Sequence, residues 1–268
     1  MMTHLTRTWR AMFLGICLAV FCLASTGCID LSGQPNDPVM RTVRIGIERH
    51  FEYEGHLYAM RGFLGIFSTG MDTLTQNLDA AHIVDSAAVA DEARSSLRSF
   101  LEFEYKADKL NGPLILVGHS WGADDQIRIA RALGRRGIKV TLLLLCDPVT
   151  PPLIPPNVER CIVIYKSHPL TDWFPMWRGV SAEAQDPAAT RLTNINLATA
   201  NVGFDTSGIN HVSISANPGV QNMMVNDIMH ALQRAHAFNM AGPYSKPTMP
   251  PLPPVNTALG AITSKPKG

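Results

Sequence analysis

A serine attacks a carbonyl only when a base takes its proton, an acid orients that base, and donors meet the oxyanion that forms. Ser120, within Gly118-His119-Ser120-Trp121-Gly122, has surroundings that suit this work. It follows the apolar run Leu114-Ile115-Leu116-Val117 and leads into a helix-like segment from Ala123. A sharp turn between strand and helix would lift its hydroxyl above a sheet edge, and the flanking glycines would let the two elements approach closely. The string G-x-S-x-G alone is expected by chance in about one chain in ten of this length. Its context has to decide.

The base must be a histidine. His4 lies in the first segment; His50, His56 and His82 precede the turn; His119 is inside it; His230 and His236 lie along or beyond the last helix. His211 stands apart, in Gly208-Ile209-Asn210-His211, after the last expected strand and before the terminal helix. A loop there can lay an imidazole over the serine. For the acid, Asp147 ends the strand that follows the Ser120 unit, on the same sheet edge, although Asp-Pro also makes an ordinary turn. Asp172, past the next strand, is the alternative. Asp124 and Asp125 suit the first turn of their helix. One oxyanion donor is expected from the backbone N–H of Trp121, the residue after the serine. The other is expected at Phe63 in Gly62-Phe63-Leu64-Gly65, a stretch that also reads as a plain glycine turn.

The elements that must position these groups follow from apolar spacing. Strands are expected at Val43–Ile47, His56–Met60, His82–Val84, Leu114–Val117, Ile138–Cys146, Arg160–Tyr165 and Leu192–Leu197. Between them helices are expected with Met71, Leu74 and Leu78 on one face, from Ala87 to Lys106, and from Ala123 to Gly134. A terminal helix, capped by Asn217-Pro218, carries Val220, Met224, Ile228 and Leu232. Strands alternating with helices imply a mainly parallel sheet covered on both faces, with active groups at the carboxyl edge. Residues 167–190 read as irregular, with Trp173, Phe174, Met176 and Trp177 clustered as an acyl-pocket lining or as packing.

Composition bounds the rest. At 268 residues and 46% hydrophobic, the chain suits one domain of ordinary core size. Its net charge is +1; without Arg7 and Arg10 it holds 21 basic against 22 acidic groups. A near-neutral chain without a basic run gives no electrostatic reason to bind nucleic acid. Arg7 and Arg10 precede the apolar stretch Ala11–Ala24, which is too short to span a bilayer comfortably and reads as an export signal. Residues 28–41 read as a tether, 42–240 as the domain, and the Pro-rich 241–268 as a disordered tail. Cys146 and Cys161 should sit at opposite ends of neighbouring strands, too far apart for a disulfide, and stay as buried thiols.

Two resemblances add to this reading. The ending Thr26-Gly27-Cys28 of the first segment resembles a bacterial lipobox, departing from it at Ser25, where leucine is usual. It implies a signal peptide over residues 1–27, lipidation of Cys28, and anchoring to a membrane of the cell envelope without a spanning helix. A plain cleaved secretory signal is the alternative. The stretch from Arg44 to Leu232 resembles the α/β-hydrolase superfamily through GHSWG, the aspartate after the next strand and the late histidine. Its short inter-strand loops and the position of Asp147 are more similar to small thioesterases and cutinase-like esterases than to large capped enzymes. The resemblance implies a three-layer α/β-hydrolase fold, with a mainly parallel central sheet and helices on both faces. It also implies a serine hydrolase of lipid-like or small-molecule acyl esters or thioesters, with no cofactor and no metal. Most members carry the acid one strand later than Asp147, which keeps Asp172 open. An acyltransferase, or a non-catalytic envelope lipoprotein binding a partner or glycan, would share the same fold.

Overall fold

Short apolar runs separated by helices bury both their faces when they pair side by side in a parallel sheet. The computed structural model describes residues 50–62, 68–168, 172–173 and 178–241. Six strands lie among them: β1 (His56–Met60), β2 (Asp85–Val89), β3 (Leu114–His119), β4 (Val140–Cys146), β5 (Val158–Tyr165) and β6 (Arg191–Asn196). They pair in the order β2-β1-β3-β4-β5-β6, and every pair is parallel. The strand expected at Val43–Ile47 lies outside the described residues.

Four α-helices among the described residues cover this sheet: α1 (Thr69–Ala80), α2 (Arg94–Lys106), α3 (Trp121–Gly134) and α4 (Pro218–Ala241). Alternation along the strands divides the core into two halves. Leu57, Ile115, Val117, Leu142, Leu144 and Ile162 pack with Met71 and Leu74 of α1 and Val220, Met224 and Ile228 of α4. Tyr58, Leu116, Leu143, Leu145 and Val163 face the other way, onto Leu97 and Leu101 of α2 and Ile127 and Leu133 of α3. Each fully buried leucine contributes about 1.5–3 kcal/mol. The central strands can therefore be leucine-rich on both sides without exposing an apolar face. Helices on both faces of a parallel sheet, with a serine at the turn between β3 and α3, make this the α/β-hydrolase fold.

Two expected boundaries are corrected. Residues 82–84 form a turn, with His82 at φ 54°, and the strand begins at Asp85. The following helix begins at Arg94, after a 3₁₀ turn at Asp91–Ala93, and not at Ala87. Ala87 and Ala88 favour helix in isolation, but here they pair with Tyr58 and Ala59 of β1. The Ser86 hydroxyl also donates to the Thr75 carbonyl of α1 at 2.9 Å. Tertiary pairing outweighs a local propensity of a few tenths of a kcal/mol.

Cys146 and Cys161 are free and buried. Cys146 lies opposite Ile164 and Cys161 opposite Leu143, so the thiols are three residues apart in register and belong to different halves of the core. Asn217 caps α4, its side-chain oxygen accepting from the N–H groups of Gly219 and Val220. Among the described residues no helix is long and apolar enough to cross a membrane. The carboxyl ends of β3, β4 and β5 lie side by side. That edge carries Ser120, Asp147 and Lys166, each the first residue past its strand.

Candidate active site

Ser120 occupies a backbone conformation that side-chain-bearing residues seldom adopt, with φ 58° and ψ −128°. Such a residue costs about 1–3 kcal/mol and persists only where its surroundings over-determine it. Here its N–H donates to the Cys146 carbonyl at 3.0 Å, and its carbonyl accepts the Ala123 N–H at 3.0 Å. The two motif glycines make the turn sterically feasible. A β-carbon at Gly118 would stand 2.6 Å from the Ala123 Cα, and one at Gly122 would stand 2.3 Å from the Arg61 carbonyl oxygen.

His211 reaches this serine from 91 residues further along the chain. The Ser120 hydroxyl donates to His211 Nε2 at 2.8 Å, and His211 Nδ1–H donates to Asp147 Oδ2 at 2.6 Å. The carboxylate is 1% exposed and the serine 7%. Asp147 is a left-handed residue (φ 50°) whose N–H donates to the Ile164 carbonyl. Its second oxygen, Oδ1, accepts the Lys166 N–H at 2.9 Å. Gly179 packs directly on the carboxylate, where a β-carbon would stand 1.6 Å from Oδ1. Asp124 braces the loop after Asp147, accepting from the Val149 N–H and from both the N–H and hydroxyl of Thr150. Burial raises the Asp124 carboxyl above its ordinary range, and the Thr150 donors partly offset that. Asp172, the alternative acid, turns onto its own loop instead. Its carboxylate accepts the His168 N–H at 2.9 and 3.0 Å.

His119 has a separate place. Its Nε2 lies 2.9 Å from the His211 carbonyl, and its Nδ1 lies 2.7 Å from the Ser68 hydroxyl. A carbonyl only accepts, so Nε2 carries the proton and Ser68 donates to Nδ1. The Gly62 N–H in turn donates to the Ser68 oxygen at 2.9 Å. The ring therefore ties the backbone of His211 to the segment before α1. Burial drives the His119 pKa from 6.5 down to about 3, with the neighbouring His211 ring adding to the shift.

This has a sign that can be measured. Between pH 6.5 and about 3 the unfolded chain takes up a proton that the folded imidazole refuses, so His119 removes stability as the pH falls. The slope from one such group is about 1.4 kcal/mol per pH unit. Asp91, raised to about 7 by burial and by Glu92, acts oppositely, its contribution fading as the pH rises. The expected result is therefore a difference. Urea unfolding from pH 7 to pH 4 should show His119→Asn gaining on wild type as the medium is acidified. Parallel pH curves would contradict the assignment.

The expected oxyanion donors divide. Trp121 is the first residue of α3, where backbone N–H groups and the helix dipole favour negative charge. Phe63 lies outside the described residues. Gly62 before it passes against Ser120: a β-carbon there would stand 2.7 Å from the Ser120 Cβ. Of the expected aromatic cluster, Trp173 is described and is 77% exposed, which places it outside the core. Phe174, Met176, Trp177 and the lipidation residue Cys28 lie outside the described residues. Among the described residues no group of three or more metal-ligating side chains converges.

Sequence reasoning did not assign Ser68, Lys166 or Gly179 to the site. For Lys166 the position after β5, at the same edge as Asp147, was readable, but the role of its side chain was not. Ser68 and Gly179 had no readable signal, because each acts through contacts that only the tertiary structure brings about.

No protein-family model matches the chain, and no curated protein matches it by sequence. Among solved structures it is similar to the RedJ thioesterase of the prodiginine pathway in Streptomyces coelicolor, at 11% identity and a TM-score of 0.41, over 70% of this chain and 96% of that one. It is similar also to the thioesterase domain SrfTE, which cyclises the lipopeptide antibiotic surfactin, at 11% identity and a TM-score of 0.40, over 66% of this chain and 92% of that one. Human thioesterase 2 is similar at 13% identity and a TM-score of 0.38, over 69% of this chain and 98% of that one.

Proposed function

We propose that the protein hydrolyses carboxylic esters or thioesters through an acyl-Ser120 intermediate. The observation that carries this is the hydrogen-bonded chain from the Ser120 hydroxyl through the His211 ring to the buried Asp147 carboxylate. Each link is short and each group has one role to take. His211 Nε2 accepts the serine proton as Oγ bonds to the substrate carbonyl carbon, and the carbonyl π electrons move onto its oxygen. The Trp121 N–H, with Phe63 N–H as second donor, meets that oxyanion. His211 then gives the proton to the departing alcohol or thiol as the bond to the carbonyl carbon breaks. Water, deprotonated by the same nitrogen, attacks the acyl-serine; collapse releases the acid and returns the proton to Ser120. Asp147 remains ionised throughout, holding the Nδ1–H tautomer and stabilising the imidazolium.

A non-catalytic role in partner or glycan binding gives no reason for a strained serine, a buried carboxylate and an imidazole to meet in this order. Transfer of the acyl group to an acceptor other than water would use the same first half-reaction. Export and lipid attachment at Cys28 belong to the same proposal and rest on the sequence of residues 1–28, with 28–41 as the tether. The experiment that tests the hydrolase reading is covalent capture of Ser120 by a fluorophosphonate. Modification of Ser120 is expected in the folded protein, and a folded protein left unmodified would overturn the reading.

A further inference from the structure

We propose that Lys166 is a positioning residue that joins the acid and the base of the site, by fastening the loop before His211 to the strand end that holds Asp147. The inference rests on the hydrolase reading above and adds to it a group that takes no part in the bond changes.

Lys166 follows β5 directly, and its backbone N–H donates to Asp147 Oδ1 at 2.9 Å. Its side chain runs the other way. The ammonium donates to three backbone carbonyls of one short loop, those of Thr206 at 2.6 Å, Ile209 at 2.9 Å and Ser207 at 3.2 Å. An ammonium has three N–H donors, and each meets one of these oxygens. The side chain is half-buried, which makes such charge-assisted bonds stronger than they would be in open solvent.

The loop needs this cation. Its segment closes a turn through the Ile209 N–H and the Thr206 carbonyl, and the carbonyls of Thr206, Ser207 and Ile209 converge on one point. Without a donor there, three oxygens would face one another and the turn would relax. His211 lies two residues beyond Ile209, and its own carbonyl is held by His119. The imidazole is thus fixed from both sides along the chain, by Lys166 before it and by His119 at its own peptide. Lys166 is the fixture that also touches the acid. A shift of the loop would lengthen the 2.6 Å bond between His211 and Asp147 and move Nε2 off the serine.

Arginine cannot replace it. A guanidinium spreads its donors in a plane over three nitrogens, whereas this cradle asks for three donors on one atom. The requirement is for a compact positive charge at the end of a four-atom stem.

The test uses the full chain, with hydrolysis of a p-nitrophenyl ester as readout. Lys166→Met is expected to lower kcat about 10- to 100-fold with KM nearly unchanged, as a misaimed base does. Lys166→Arg should recover little of the loss. Lys166→Cys treated with 2-bromoethylamine, which restores an ammonium on a stem of the original length, should recover most of it. The same variant treated with 2-iodoethanol, giving a neutral hydroxyl, should not. Wild type treated in parallel controls for the native cysteines, of which Cys146 and Cys161 are buried. A Lys166→Met enzyme within twofold of wild type, or equal recovery with the neutral adduct, would overturn the inference and leave the hydrolase reading standing. If wild type hydrolyses no ester, the hydrolase reading is what fails. Deuterium exchange over residues 206–211 then reads the clamp by itself: faster exchange in Lys166→Met supports the fastening, and unchanged exchange overturns it.

Discussion

Ser120→Ala is expected to lower kcat for a p-nitrophenyl ester by roughly 10⁶-fold, leaving only the rate that binding and the oxyanion donors supply. The size follows from the acyl-serine route. Without the hydroxyl there is no nucleophile for His211 to activate, and water has no placed approach to the bound carbonyl. Alanine keeps the β-carbon, so it brings no new steric cost to a residue already held at φ 58°. The variant should therefore fold, with a circular dichroism spectrum and urea midpoint close to wild type. A loss below about tenfold in folded protein would mean that the chemistry runs through another group.

Asp147→Asn is expected to lower kcat by about 10⁴-fold with KM little changed, while Asp172→Asn leaves both constants near wild type. An asparagine amide retains the shape of the carboxylate, and its oxygen could still accept the Lys166 N–H. The atom facing His211 Nδ1 would then be a donor, which favours the tautomer with its proton on Nε2. That tautomer cannot take a proton from Ser120. The carboxylate also offsets the imidazolium that forms during turnover, and a neutral amide cannot. Asp172 spends its carboxylate on the His168 N–H and has no such part. A matched loss in both variants would sink the assignment of Asp147 as the acid.

The difference between these two aspartates shows where the sequence was informative and where it stopped. The buried runs at Leu114–Val117 and Leu142–Leu145 are apolar on both faces, the pattern of strands in a parallel sheet between helices. Once those strands are placed, connectivity brings Ser120 and Asp147 to the same edge. His211 was legible for the same reason, as the one histidine in a loop between the last strand and α4. By contrast β2 was placed too early, at His82–Val84, because Ser86, Ala87 and Ala88 carry no strand signal of their own. Their extended form comes from the pairing with β1 and the bond from Ser86 to Thr75.

The parts of the site that hold its geometry were the least legible. Lysine after a strand is an ordinary surface residue until three carbonyls are seen to converge on it. Gly179 is one glycine among 20, and what distinguishes it is the carboxylate lying where a β-carbon would go. His119 shares the motif with Ser120 yet faces Ser68 and the His211 peptide. Residue type and spacing mark the groups that react. The groups that aim them are marked by burial and by direction, which arise from packing.

The measurement that bears most directly on the central claim is mapping of a fluorophosphonate adduct by peptide mass spectrometry on the folded, full-length protein. The expected result is one phosphonylated serine, Ser120, formed stoichiometrically with loss of esterase activity, absent in Ser120→Ala and strongly slowed in Asp147→Asn. An adduct on a different residue, or none in a protein whose fold is intact, would contradict an acyl-serine mechanism at this site.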